Sequence, residues 1–176
     1  MKLFVIVGFL VLLVAQSAYA ERADRNKPIQ LEADRATVED VNRKEGTRIS
    51  TFVGNVVLTQ GTLRILADKL IMKEDAQGFR HATATGNLVS FRQKRDGMNE
   101  YVEGWSEQAD YDSKTDKIEL FRKARLKRGF DEVQGDYISY NMSTEFFQVN
   151  SSKERGAESG SDKRVRITIQ PKNKSE

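Results

Sequence analysis

Cysteine is absent from the 176-residue chain, histidine and tryptophan occur once each, and proline twice. Without a thiol there is no disulfide framework, no thiol nucleophile and no cysteine-based metal centre. His81, the single histidine, has no companion set of ligands and reads as a surface strand residue. The acidic residues sit on turns without the spacing of a calcium loop, so neither a metal site nor a cofactor is expected. No nucleophile elbow, phosphate-cradling glycine loop or zinc-hydrolase helix occurs, and no catalytic residues are assigned. Charge of one sign is not in excess either. The chain carries 29 basic and 26 acidic side chains for a formal charge of +3, which gives no argument for a polyanionic partner.

Apolar runs long enough to cross a membrane are missing after the first twenty residues. Within those twenty, Lys2 precedes an apolar run over residues 3–15 that only Gly8 interrupts, and Ala18-Tyr19-Ala20 follows. These are the parts of a secretory signal peptide. A retained anchor is the other reading of this length, but Gln16 and Ser17 break the run ahead of the small-x-small site and favour cleavage after Ala20. No cysteine follows to carry a lipid. The remaining 156 residues are one domain's worth of chain.

What the sequence does have is alternation. Residues 52–72, FVGNVVLTQGTLRILADKLIM, hold two runs of period two that meet at Gln60-Gly61. Phe52, Val56 and Leu58 share one parity, and Leu63, Ile65 and Ala67 share another beyond the turn. Period two predicts half-buried strands, and a change of parity after Leu66 predicts a bend or bulge near Ala67-Asp68. Comparable strands are expected around residues 29–31, 36–41, 48–53, 100–111, 117–127, 133–141, 145–149 and 163–170. Two more, 79–85 and 88–92, are expected to be separated by a break at Gly86-Asn87. Many short strands with charged turns and no amphipathic helix predict an antiparallel all-β fold.

Two short motifs recur. Gly-Asn-Val at residues 54–56 returns as Gly-Asn-Leu at 86–88, and Ala-Asp occurs at 33–34, 67–68 and 109–110, with Gly135-Asp136 as a degenerate fourth. Aspartates at the same point of a repeating unit serve turns or local backbone capping more readily than paired-carboxylate catalysis. Lys123, Arg125, Lys127 and Arg128, with Phe121 and Phe130, form a basic and aromatic stripe. Glu119, Asp131 and Glu132 flank it, so no nucleic-acid partner is expected. Basic groups near a rim with apolar groups inside suit an anionic amphiphile better.

The ordered set of segments resembles the OstA-like family of lipopolysaccharide-transport periplasmic proteins. The set comprises PIQLEAD (28–34), GNVVLTQGTLRILADKLIM (54–72), GNLVSFRQ (86–93), VEGWSEQADY (102–111), VQGDYISY (133–140) and DKRVRITIQP (162–171). The resemblance implies an open, twisted β-jelly roll of many short antiparallel strands and a non-enzymatic periplasmic bridge that carries lipopolysaccharide from the inner-membrane complex to the outer-membrane translocon. Its organisation would be a signal peptide (1–20), an OstA-like domain (21–150), a flexible loop (151–162), a terminal edge strand (163–170) and a disordered tail (171–176). Lipid A acyl chains would lie in an interior to which the resemblance assigns Ile29, Leu31 and Phe91, and alternation adds Leu63 and Ile65. Partner contacts would use edge strands, Ile29 and Leu31 towards inner-membrane LptC, and Val165, Ile167 and Ile169 towards outer-membrane LptD. Head-to-tail self-association would use the same two edges. The family's basic residue at the groove mouth falls near Glu74, in a turn of different length, and no head-group contact is carried over. A lipid groove and an ordinary core share one sequence signature, so a scaffolding β-domain of the envelope is the alternative function.

Overall fold

A computed structural model of the chain describes residues 27–42, 46–78, 80–151 and 164–169. The segments expected as a signal peptide (1–20), as a loop (151–162, apart from Ser151) and as a tail (171–176), and the ends Lys163 and Gln170 of the expected terminal strand, lie outside the described residues. Among the described residues ten strands follow in order: β1 (Gln30–Glu32), β2 (Arg35–Asn42), β3 (Thr47–Gln60), β4 (Leu63–Glu74), β5 (Arg80–Lys94), β6 (Tyr101–Asp112), β7 (Lys117–Arg128), β8 (Asp131–Asn141), β9 (Phe147–Asn150) and β10 (Arg166–Thr168). They form one antiparallel sheet in which β3 to β8 pair in sequence. The chain is all-β and the sheet is open. Its N-terminal edge is β1 and β2, both paired with β3, and its C-terminal edge is β9 and β10, both paired with β8.

A line of register shifts crosses the sheet near the middle of each long strand. The shifts fall between Val53 and Val56, Leu66 and Lys69, Thr85 and Val89, Trp105 and Gln108, and Phe121 and Ala124. Each such irregularity bends its strand and increases local twist. The line splits the sheet into two leaves. One is bounded by β2 and β9, the other by β1 and β10. The predicted bend at Ala67-Asp68 is on this line. The predicted break at Gly86-Asn87 is there too, but β5 runs unbroken through it as a bulge.

The two recurring motifs are halves of one device. Asn55 donates from Nδ2 to the Asp34 carboxylate at 3.0 Å, and the Asp34 N–H donates to the Gly54 carbonyl at 2.9 Å. Asp68 likewise accepts the Asn87 N–H at 2.9 Å. A Cβ at Gly54 would stand 2.2 Å from the Asp34 carboxylate, and φ there is +83°, so only glycine fits this bulge without strain. The third bulge replaces amide donors by cations. Arg122 and Lys123 both have positive φ and reach Glu107, with Lys123 Nζ at 2.7 Å, which holds that carboxyl below its ordinary value. Asp110 is not the partner there; it accepts from Gln108 at 3.1 Å. The aspartates at positions 34 and 68 therefore cap backbone and bulges, as their place in the repeat predicts.

The leaves are drawn together at one end. Arg95, in the β5–β6 turn of one leaf, bonds Glu145, in the β8–β9 turn of the other, at 2.6 Å, and also Glu100 at 2.6 Å. Hydrogen bonding to Glu145 raises the Arg95 guanidinium's pKa, and the same contact lowers that of the Glu145 carboxyl. Burial beneath these turns pushes the Tyr140 phenol well above its ordinary range. The inward side chains of both leaves form a single apolar cluster, with Leu70, Val89, Ile118, Leu120 and Ile138 among its most buried members.

Candidate functional site

The register of the sheet arranges its inward residues in rows that run across the strands. In the leaf bounded by β1 and β10, one row reads Leu31, Leu58, Ile65, Phe91, Gly104, Leu126, Val133 and Ile167. It contains no polar side chain, and at about 4.8 Å per strand it extends ~34 Å from one sheet edge to the other. The other leaf carries Ala36, Phe52, Leu70, Ala84, Ala109, Leu120, Ile138 and Val149 in the same manner. Alternation along each strand and antiparallel pairing between them are sufficient to produce such rows.

Of the interior residues expected from the sequence, Leu31, Ile65 and Phe91 share the first row. Leu63 is buried one inward position along β4, and Ile29 packs partly buried against the same cluster. Of the edge residues, Ile167 ends the row on β10, while Val165 and Ile169 flank that strand. Ile167 and Ile169 remain 56% and 75% exposed, as befits an edge. Among the described residues of the predicted 163–170 strand, three pair with β8, while Arg164, Val165 and Ile169 lie outside the strand.

Gly104 was not legible as a member. It stands opposite Phe91, and a Cβ there would come within 2.1 Å of the ring, so the absent side chain is what lets Phe91 lie across β6. At the C-terminal edge the interior opens into a small apolar cavity of about 210 Å³. Leu126, Val133, Phe147, Ile167 and Ile169 line it, with Arg128 and Asp131 as its charged members. The basic stripe is thus divided by the pleat. Arg125 lies outward over the Trp105 ring at 4.1 Å, whereas Arg128 shares the inward parity of Leu126 and stands 5.5 Å from the Phe147 ring. That parity was present in the sequence and is the signal that separates Arg128 from its neighbours. A larger cavity of about 560 Å³ lies across the bend on the other face, where Gly135-Asp136 of β8 pairs with neither β9 nor β10. Among the described residues no group of acidic or histidine side chains is arranged to hold a metal.

Residues 30–146 match the family model described as LptA/(LptD N-terminal domain) LPS transport protein. The chain belongs to this family. It is 29% identical over 155 residues to the lipopolysaccharide export system protein LptA of Escherichia coli K12, covering 87% of this chain and 80% of that protein. It is 25% identical over 173 residues to the export system protein LptH of Pseudomonas aeruginosa, covering 97% and 95% of the two. The crystal structure of LptH, described as the LptA-homologous periplasmic component of the lipopolysaccharide transport device of that organism, superimposes with a TM-score of 0.73. It does so at 21% identity over 85% of this chain and 99% of that one. The open antiparallel sheet is therefore the LptH fold, and the chain is a lipopolysaccharide-transport protein rather than an enzyme.

Proposed function

We propose that the chain is a periplasmic bridge that carries lipopolysaccharide from an inner-membrane complex to an outer-membrane translocon. The observation that carries this reading is the uninterrupted apolar row from Leu31 to Ile167. Its direction matters more than its hydrophobicity. A row that crosses all eight strands of its leaf points at both edges of that leaf, so copies joined edge to edge make one continuous apolar track. Burial yields roughly 0.8 kcal/mol per methylene, which is ample to hold acyl chains in such a track while leaving the head group wet. The interior residues of this path are Ile29, Leu31, Leu63, Ile65 and Phe91.

Both edges suit strand addition. β1 and β10 end the path of paired strands, and β10 and the stretch of β2 from Arg35 to Val41 are exposed, so among the described residues their outer backbone groups stand ready for another chain. In this reading LptC meets the N-terminal edge at Ile29 and Leu31. LptD meets the C-terminal edge at Val165, Ile167 and Ile169, and copies of the chain join head to tail between them. Export by a cleaved signal peptide over residues 1–20 places the protein in the periplasm.

The absence of native cysteine makes the assembly directly testable. Leu31→Cys and Ile167→Cys proteins, mixed and oxidised, are expected to give a disulfide between the two different variants, because head-to-tail joining brings the two row ends together. Formation of only like-with-like disulfides would contradict the head-to-tail arrangement.

A further inference from the structure

We infer that Arg128 receives the anionic group of the carried amphiphile where its chain reaches the C-terminal edge. This rests on the lipopolysaccharide-carrier reading and names a contact that the reading leaves open. Arg128 is a cation in the lining of an otherwise largely apolar cavity, and its side chain has no ion pair or hydrogen bond among the described residues. Its guanidinium carbon stands 5.5 Å from the centre of the Phe147 ring.

The neighbouring charges are already committed. Arg95 holds Glu145 at 2.6 Å, so the carboxylate whose field reaches Arg128 is neutralised by another cation. Asp131 is opposite Arg128 in the register and has a polar partner of its own. Among the other basic groups of β7, Lys123 is paired with Glu107 and Arg125 lies between Trp105 and Glu132. Arg128 is thus the inward cation of this strand with donors to spare.

The cavity and the cation fit two parts of one molecule. At about 210 Å³ the cavity is smaller than a typical small-molecule site of roughly 300–1,000 Å³, so it takes a length of hydrocarbon chain and not a sugar head. A guanidinium beside it matches a phosphate through paired N–H donors, a geometry that a lysine does not reproduce. The ligand chemistry is therefore a phosphorylated, acylated amphiphile.

The test compares diphosphorylated lipid A with its dephosphorylated form, in one detergent, on the wild type, Arg128→Gln and Arg128→Lys. The wild type is expected to bind the phosphorylated form about tenfold more tightly, ~1.4 kcal/mol. Arg128→Gln should lose that preference while still binding the dephosphorylated form like the wild type, and Arg128→Lys should keep part of it. Because the substitution breaks no ion pair among the described residues, the variants should melt with the wild type, which separates loss of recognition from loss of fold. An Arg128→Gln protein that keeps the full preference overturns the assignment and leaves the carrier reading intact. A wild type that binds both forms equally also overturns it. A wild type that binds neither form overturns the carrier reading along with it.

Discussion

Ile65→Asp is expected to remove most of the stability of the fold, whereas Leu66→Asp leaves it within about 1 kcal/mol of the wild type. The two positions adjoin, but Ile65 is 7% exposed in the inward row and Leu66 is 38% exposed on the opposite face. At position 65 the change forfeits the transfer free energy of the isoleucine and buries a carboxylate among Leu58 and Phe91 with no partner. Together these exceed about 4 kcal/mol, a large share of the 5–15 kcal/mol that typically holds a domain together. The carboxylate escapes part of this only by staying protonated or by pulling water into the row. Urea unfolding of the two variants side by side is the measurement. Equal midpoints would mean that β4 is in the wrong register, since a slip of one residue exchanges its two faces.

Gly104→Ala and Phe91→Ala should both destabilise the protein, and the double variant should cost clearly less than their sum. The added methyl meets the Phe91 ring at 2.1, 2.7 and 2.9 Å, so the ring must leave its place. Overpacking of this kind costs about 1–3 kcal/mol. Removing the ring costs roughly 3–5 kcal/mol and leaves a void that the new methyl partly fills. Once the ring is gone the clash has no second party, and the coupling between the two sites should amount to about 0.5–3 kcal/mol, the range such contacts show. Chemical denaturation of the four proteins of the cycle measures it. Strict additivity would show that Gly104 is not the space into which Phe91 packs.

These two residues mark where the sequence was legible and where it was not. Alternation placed Leu63 and Ile65 inward because a strand with one buried face shows its period directly. It also located the bend at Ala67-Asp68, since a bulge disturbs that period. Gly104 carries no such signal. Its role depends on standing opposite Phe91, which is a matter of register between strands rather than of its own neighbours in Val-Glu-Gly-Trp. The Gly86-Asn87 step was misread for a related reason. A glycine followed by a polar residue signals a turn locally, yet the Asp68 carboxylate on the adjacent strand binds the Asn87 amide and keeps β5 running. Arg128 lay in plain view on the parity of Leu126 but was grouped with its basic neighbours by composition. Arg128 differs from Lys123 and Arg125 because the pleat sends it to the inner face and them to the outer one.

The line of bulges connects these local facts to function. A flat sheet of this composition would present one apolar face to water. Bending each long strand at the same level brings two apolar rows into one interior, with no further strand on either sheet edge among the described residues, and the Arg95–Glu145 pair ties the leaves at one end. The same construction that makes a core runs its apolar rows from one sheet edge to the other.

The central claim is that this interior is a lipid path, and site-specific photocrosslinking in living cells tests it most directly. A photoreactive residue at position 65, and the same residue at position 66, differ only in the face they occupy. A lipopolysaccharide adduct from position 65, with none from position 66, is the result the account predicts. Adducts from both positions alike, or from neither 65 nor 91 while the protein is folded, would contradict it.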